Sequence, residues 1–169
     1  MKSLTIMRHG KAKRGEDWPI DFDRPLAKRG QKDIERVVQL LSELKPPVDW
    51  IISSPARRAY QTAENVAKGL GLSDSIVTND TIYEEGSEGV LALLGRTPTE
   101  VQHVLLIGHN PTLEQLVSGL CAGSPSRLGS SLPTSGVANI ELQIMWWEQI
   151  RWGSGILKMY VRPKILRSL

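Results

Sequence analysis

The chain has 169 residues, a length usual for one domain, and its 40% hydrophobic and 23% charged residues suit a soluble globular protein with a real core. The net charge of +3 is spread along the chain without a basic stripe or aromatic–basic ladder, which excludes a nucleic-acid surface, and the single Cys121 excludes an internal disulfide. No stretch approaches the ~20 apolar residues of a membrane span, and the apolar start is too short for a signal peptide, so the expected address is the cytoplasm.

Leu4–Met7 reads as a first strand that stops at a charged, glycine-containing turn. A polar loop runs on to about Pro25. From Ala27 to Leu44, the residues Ile34, Val37, Val38, Leu41 and Leu44 trace one helical face, and Pro46-Pro47 end it. Trp50–Ile52 predicts a second strand. Ser54 and Pro55 read as the N-cap and first residue of a helix that buries Ala59, Ala63, Val66, Ala67 and Leu70 and stops near Gly69–Gly71.

Ile76-Val77 reads as a third, short strand and Ser87–Leu94 as a short helix. Val104–Ile107 is apolar throughout, as parallel strands covered on both faces tend to be. Asn110-Pro111 is expected to cap a helix with Leu113, Leu116, Val117, Leu120 and an inert, buried Cys121 on one face. After a Gly/Ser/Pro-rich connection, Val137–Ile144 and Ile156–Val161 read as late strands flanking a tryptophan-rich segment, where Trp146, Trp147 and Trp152 are expected to cover the sheet or its edge. Alternating strands and helices predict a single α/β domain over residues 1–169, with three layers and a mostly parallel central sheet.

Ligands of open α/β sheets bind beyond the C-terminal ends of the strands. Three basic elements fall there: Arg8-His9-Gly10 after the first strand, Arg57-Arg58 after the second, and Gly108-His109-Asn110-Pro111 after the buried fourth. All three suit an anion, and a parallel sheet lets them converge. Planar guanidinium groups grip phosphoryl oxygens bidentately, which makes Arg8 and Arg58 the candidate clamps. A histidine nucleophile needs one neutral ring nitrogen free while the other is held by an acceptor, and neighbouring arginines keep the ring neutral. A second histidine can donate to phosphoryl oxygens as charge shifts. His103, before the buried strand, is expected to be structural. Three histidines and one cysteine lack metal-ligand spacing.

Arg8-His9-Gly10, the run Ser54-Pro55-Ala56-Arg57-Arg58-Ala59-Tyr60-Gln61-Thr62, and Gly108-His109-Asn110-Pro111 resemble the histidine phosphatase superfamily. Arg24-Pro25-Leu26 with Gly30, the short length and Pro163-Lys164 look like its SixA-type phosphohistidine phosphatases. The parts stand in the family's order and span nearly the whole chain. The resemblance implies a phosphoglycerate mutase-like fold with His9 as the nucleophile. Arg8, Arg58 and His109 would form the rest of the phosphate pocket, and Arg58 is preferred to Arg57 because it directly precedes Ala59. Glu84 becomes the candidate proton donor, with Glu85 and Glu88 as alternatives. Ala27 stands where many relatives open the helix with threonine. The resemblance implies no metal and no cofactor.

The substrate implied is a phosphorylated protein, such as a histidine phosphotransfer domain, because only one short helix fits between Glu84 and His109, leaving little material for a lid. A phosphatase or mutase for a small phosphorylated metabolite, and a binding module without catalysis, are the competing readings. Neither a nucleic acid nor a membrane is expected as a partner.

Overall fold

In chain order, the computed structural model, which describes residues 1–168, sets out β1 (Lys2–Arg8), α1 (Lys28–Ser42), β2 (Trp50–Ser53), α2 (Arg57–Leu70), β3 (Ile76–Thr78), α3 (Thr81–Glu84), α4 (Ser87–Leu94), β4 (His103–Gly108), α5 (Thr112–Ala122), β5 (Val137–Leu142), β6 (Gly155–Val161) and α6 (Pro163–Leu166). The strands form one six-stranded sheet in the order β3-β2-β4-β1-β5-β6. β3, β2, β4 and β1 are mutually parallel, and β5 alone runs against its two neighbours.

Successive side chains on a strand point to opposite faces, so the apolar strands β1 and β4 supply two cores at once. Leu4, Ile6, Val104 and Leu106 meet Val90 and Leu94 of α4 and Leu113, Leu116 and Leu120 of α5. Met7, Leu105, Ile107 and Ile51 meet Ile34, Val37 and Leu41 of α1 and Ala59, Ala63 and Val66 of α2. The result is the expected three-layer α/β/α arrangement with a mostly parallel sheet. Because α1 and α5 leave the adjacent strands β1 and β4 toward opposite faces, a crevice opens between the C-terminal ends of those two strands.

Two helix starts differ from expectation. Ser54 is not the N-cap: α2 begins two residues past Pro55 with Ala56 as its cap, and the Ser54 hydroxyl accepts the Ala56 N–H at 3.2 Å while also lying 2.8 Å from His109 Nε2. Likewise α5 is capped by Pro111, not Asn110, whose amide donates to Glu114 Oε1 (2.9 Å) and the Leu132 carbonyl (2.8 Å). In both cases the side chain joins a nearby group and a distant one, His109 for Ser54 and Leu132 for Asn110. Ala27 at the start of α1 makes no side-chain cap, and Gly71 ends α2 in the left-handed conformation (φ 72°) that glycine adopts without a Cβ penalty.

His103 is structural. It is fully buried, donates from Nδ1 to the Pro46 carbonyl at 2.7 Å, and places Nε2 2.8 Å from Thr5 Oγ1. Cys121 is half-buried, and burial pushes its thiol up. The tryptophans divide: Trp146 is exposed, whereas Trp147 is fully buried and donates from Nε1 to the Val101 carbonyl at 2.9 Å. Among the described residues no helix is long and apolar enough to cross a membrane.

Trp147 packs under the α4–α5 face and holds an interior carbonyl. Trp147→Ala is therefore expected to cost about 3–5 kcal/mol, read as a lower denaturation midpoint at unchanged m-value. A midpoint within experimental scatter of wild type would show that the indole does not carry this layer.

Candidate active site

Register brings the two histidines together. In the β1–β4 ladder Arg8 lies opposite Gly108, and the His9 N–H donates to the Gly108 carbonyl at 3.2 Å. His9 and His109, one residue further along each strand, therefore leave the sheet side by side, with ring centroids 5.1 Å apart. Gly108 is required here because a Cβ would meet Ile82 Cγ2 at 2.7 Å. β2 stops one step lower: the Ser54 N–H donates to the Ile107 carbonyl at 3.0 Å, and its hydroxyl lies 2.8 Å from His109 Nε2.

The nucleophile loop is fixed from the α2 side. Thr62, fully buried, accepts the Gly10 N–H at 3.0 Å and donates to the Arg58 carbonyl at 2.7 Å. One turn back along α2, Arg58 reaches both histidines, with Nε 3.3 Å from His9 Nε2 and Nη2 3.4 Å from His109 Nδ1. Arg57 points elsewhere and stacks on Trp18 at 5.5 Å. Arg8 enters from β1 and donates from Nη1 to the Leu132 carbonyl at 3.2 Å, while its buried Nε has no protein partner. All four of His9, Arg8, Arg58 and His109 thus share one crevice.

Two residues outside the expected set complete it. Asp21 sits in a short 3-10 turn, Asp21–Asp23, inside the polar loop. Its carbonyl accepts Arg58 Nη1 at 2.8 Å and its carboxylate accepts Arg58 Nη2 at 3.0 Å and the Tyr83 hydroxyl at 3.2 Å. Tyr83 stands edge-on to His109, with centroids 5.4 Å apart, and to Phe22 at 5.2 Å. The loop that carries Asp21 is pinned by the Leu26 N–H donating to Gln61 Oε1 at 2.8 Å. No local pattern in the sequence marks Asp21 or Tyr83.

The charges set the proton positions. The Gly10 carbonyl, 2.8 Å from His9 Nδ1, can only accept, so Nδ1 carries the proton and Nε2 keeps its lone pair facing Arg58. Burial first, then the His109, Arg58 and Arg8 charges, hold His9 down at about 3 against the pull of that carbonyl. Burial and Arg58 likewise hold His109 at about 4, with Asp21 opposing. Burial raises the Asp21 carboxyl, yet Arg58 and Arg24 outweigh it and leave Asp21 below the usual carboxylate range. It is ionised near neutrality and orients Arg58.

Glu84 ends α3, one residue after Tyr83, exposed and without a side-chain hydrogen bond among the described residues. Glu85 accepts from Thr81 Oγ1 at 3.2 Å, and Glu88 accepts from Trp152 Nε1 at 2.9 Å. Among the described residues no three His, Cys, Asp or Glu side chains are grouped as a metal site needs.

Comparison with known proteins follows the same lines. The profile of the histidine phosphatase superfamily (branch 1) matches residues 4–85. The phosphohistidine phosphatase SixA of Escherichia coli (strain K12) is 32% identical over 141 residues, which cover 82% of this chain and 84% of that protein. An uncharacterized protein of Mycobacterium tuberculosis (strain ATCC 25618 / H37Rv) is 30% identical over 146 residues, 83% of this chain and 89% of its own. A solved structure of the protein histidine phosphatase SixA complexed with tungstate superposes with a TM-score of 0.81 at 30% identity, over 97% of this chain and 99% of that one.

Buried neutral imidazoles tie stability to pH. A depressed folded-state pKa means that the unfolded chain binds more protons, so stability is full above about 6.5 and falls as pH drops toward about 3 for His9 and about 4 for His109. Thermal unfolding between pH 7 and pH 5 is expected to lose on the order of 1–2 kcal/mol from His9. The loss should be shallower in His9→Asn, and an identical slope in that variant would contradict a neutral, buried His9.

Proposed function

The chain belongs to the histidine phosphatase superfamily, and on that footing we propose that it hydrolyses phosphohistidine on a protein through a phosphoryl intermediate on His9. The observation that carries the reading is the unprotonated Nε2 of a neutral His9, which accepts from Arg58 Nε at 3.3 Å beside His109, so that the same arginine that holds the lone pair in place can turn to a phosphoryl oxygen. A lone pair held among fixed cations suits attack on a phosphorus that bears anionic oxygens.

In the proposed cycle, His9 Nε2 forms the bond to phosphorus as the bond to the leaving nitrogen breaks. Arg8 and Arg58 hold the phosphoryl oxygens, and the orphaned Arg8 Nε is a donor in waiting. His109 presents Nδ1 toward the same space. Its Nε2 faces the Ser54 hydroxyl, which can accept or donate and therefore fits either tautomer as Arg58 turns from His109 to the phosphoryl group. Glu84 protonates the departing imidazole. Water then attacks phospho-His9, releases inorganic phosphate and restores the free ring. The cycle draws its positive charge from arginines and uses no metal, and it runs in the cytoplasm.

Protein phosphohistidine is preferred to a small metabolite because the rim is open. Asp21 and Tyr83 are exposed at the mouth, and α4 packs on α5 instead of covering it. The matching SixA structure, that of a protein histidine phosphatase, holds tungstate, an oxyanion of phosphate-like shape, which supports phosphoryl binding by either class of substrate.

Mixing the protein with a small phosphoryl donor in excess chelator is expected to leave an acid-labile phosphate on His9. His9→Ala should remove the label and lower turnover of phosphohistidine protein and aryl phosphate by at least about a thousandfold. Phosphate binding without labelling would favour a non-catalytic module, and faster turnover of sugar or nucleotide phosphates would favour a metabolite enzyme. Glu84→Gln should slow aryl phosphate by about a hundredfold and phosphohistidine much less, because imidazole is the better leaving group. Equal losses on both substrates would remove Glu84 from the proton-donor role.

A further inference from the structure

A separate cleft of about 160 Å³ lies beside the phosphate pocket. Arg29, Arg162, Lys164 and Arg167 line it, with Pro133 and Thr134 as its inner wall, and none of its lining residues is acidic. That wall is shared. Leu132, on one side of Pro133-Thr134, accepts Arg8 Nη1 at 3.2 Å, and Ser135, on the other, donates its N–H to the Arg8 and His9 carbonyls at 3.1 Å. Cleft and phosphate pocket are therefore two faces of one segment, Leu132 to Ser135, at most about 11 Å long.

Three of its four cations have no carboxylate partner among the described residues. Arg167 is spoken for, since its Nε and Nη2 reach Asp33 at 2.9 and 2.6 Å, and Arg36 adds a further contact to the same carboxylate at 3.5 Å. Arg29, Arg162 and Lys164 are exposed, and among the described residues none has a carboxylate within 4.0 Å. The first turn of α1 makes the imbalance sharper: it holds Lys28 and Arg29 and no acid, at the helix end whose dipole already favours anions. An anion entering the cleft would relieve repulsion among Arg29, Arg162 and Lys164 that no carboxylate among the described residues relieves.

The mouth is electrically lopsided as well. Beyond β2 and β3 its rim carries Asp21, paired with Arg58 and Arg24, and Tyr83; beyond β5 and β6 it is the cationic cleft. The cleft is below the several hundred Å³ that a nucleotide-sized ligand occupies, but it admits a carboxylate. We propose that it is a second anion subsite, which takes aspartate or glutamate side chains of the phosphorylated protein docked at His9. The subsite rests on the protein-phosphohistidine reading above, and it orients the partner with its acidic side over β5 and β6.

Kinetics with two phosphohistidine peptides of equal length test it, one with glutamates on both sides of the phosphohistidine and one with alanines, and p-nitrophenyl phosphate as the reference. Wild type is expected to favour the acidic peptide about tenfold in kcat/KM at low ionic strength, less as salt is added. Arg162→Ala with Lys164→Ala should abolish that preference and leave p-nitrophenyl phosphate turnover within about twofold. Arg96→Ala with Arg151→Ala, the same charge change in the segments leading into β4 and β6, should keep it. Equal turnover of both peptides by wild type overturns the subsite alone, as does a preference that survives the first pair or is lost equally in the second. Cleavage of p-nitrophenyl phosphate with neither peptide turned over overturns the phosphohistidine reading, and the subsite falls with it.

Discussion

The pairing of Arg8 with Gly108 in the parallel ladder between β1 and β4 is the constraint on which the crevice depends. Side chains alternate at period 2, so a slip of one residue in that register would move His9 to the far side of the strand end and separate it from His109. The register is held from both ends. Buried apolar side chains on both faces of β1 and β4 tolerate no shift, and His103 at the start of β4 shares a hydrogen bond with Thr5 in the middle of β1 that fixes the same alignment. A histidine far from the chemistry thus helps to decide where the other two meet.

Burial then does what sequence position cannot. Two imidazoles placed close to two guanidinium groups in a water-poor crevice are held neutral, because protonating either would add a cation where desolvation and like charge both oppose it. Two carboxylates act on the guanidinium groups: Glu114 faces Arg8, while Asp21 bonds to Arg58 from outside and leaves the inner side of that guanidinium facing the histidines. The pocket consequently keeps two guanidinium groups beside a neutral ring whose unprotonated nitrogen Arg58 holds in place. Ordinary lysines at the same positions would supply the charge but not the fixed plane that spans both rings.

The cationic cleft extends the same logic to the surface. The Leu132–Ser135 segment serves the phosphate pocket with its backbone and walls the cleft with Pro133 and Thr134, so anything seated in one is held at a set distance from the other. α6 is tied in from behind through Arg167 and Asp33, which makes the outer wall of the cleft a fixed part of the fold.

Local chemistry was readable from the chain alone: apolar runs that became β1 and β4, the helical faces of α1, α2 and α5, and the three basic elements at strand ends. These are short-range patterns, set by side-chain period and by residue types within a few positions of one another. Asp21, Tyr83 and the true role of Ser54 were not readable, because their partners lie 37, 62 and 55 positions away and no periodicity encodes such pairings. Ser54 and Asn110 show this most plainly, since each reads as a helix cap and each also bonds a distant partner that the local pattern does not name. Which strands lie side by side, and hence which distant groups share a dry crevice, is decided by the packing of two apolar faces against one sheet, an energy that belongs to the whole fold.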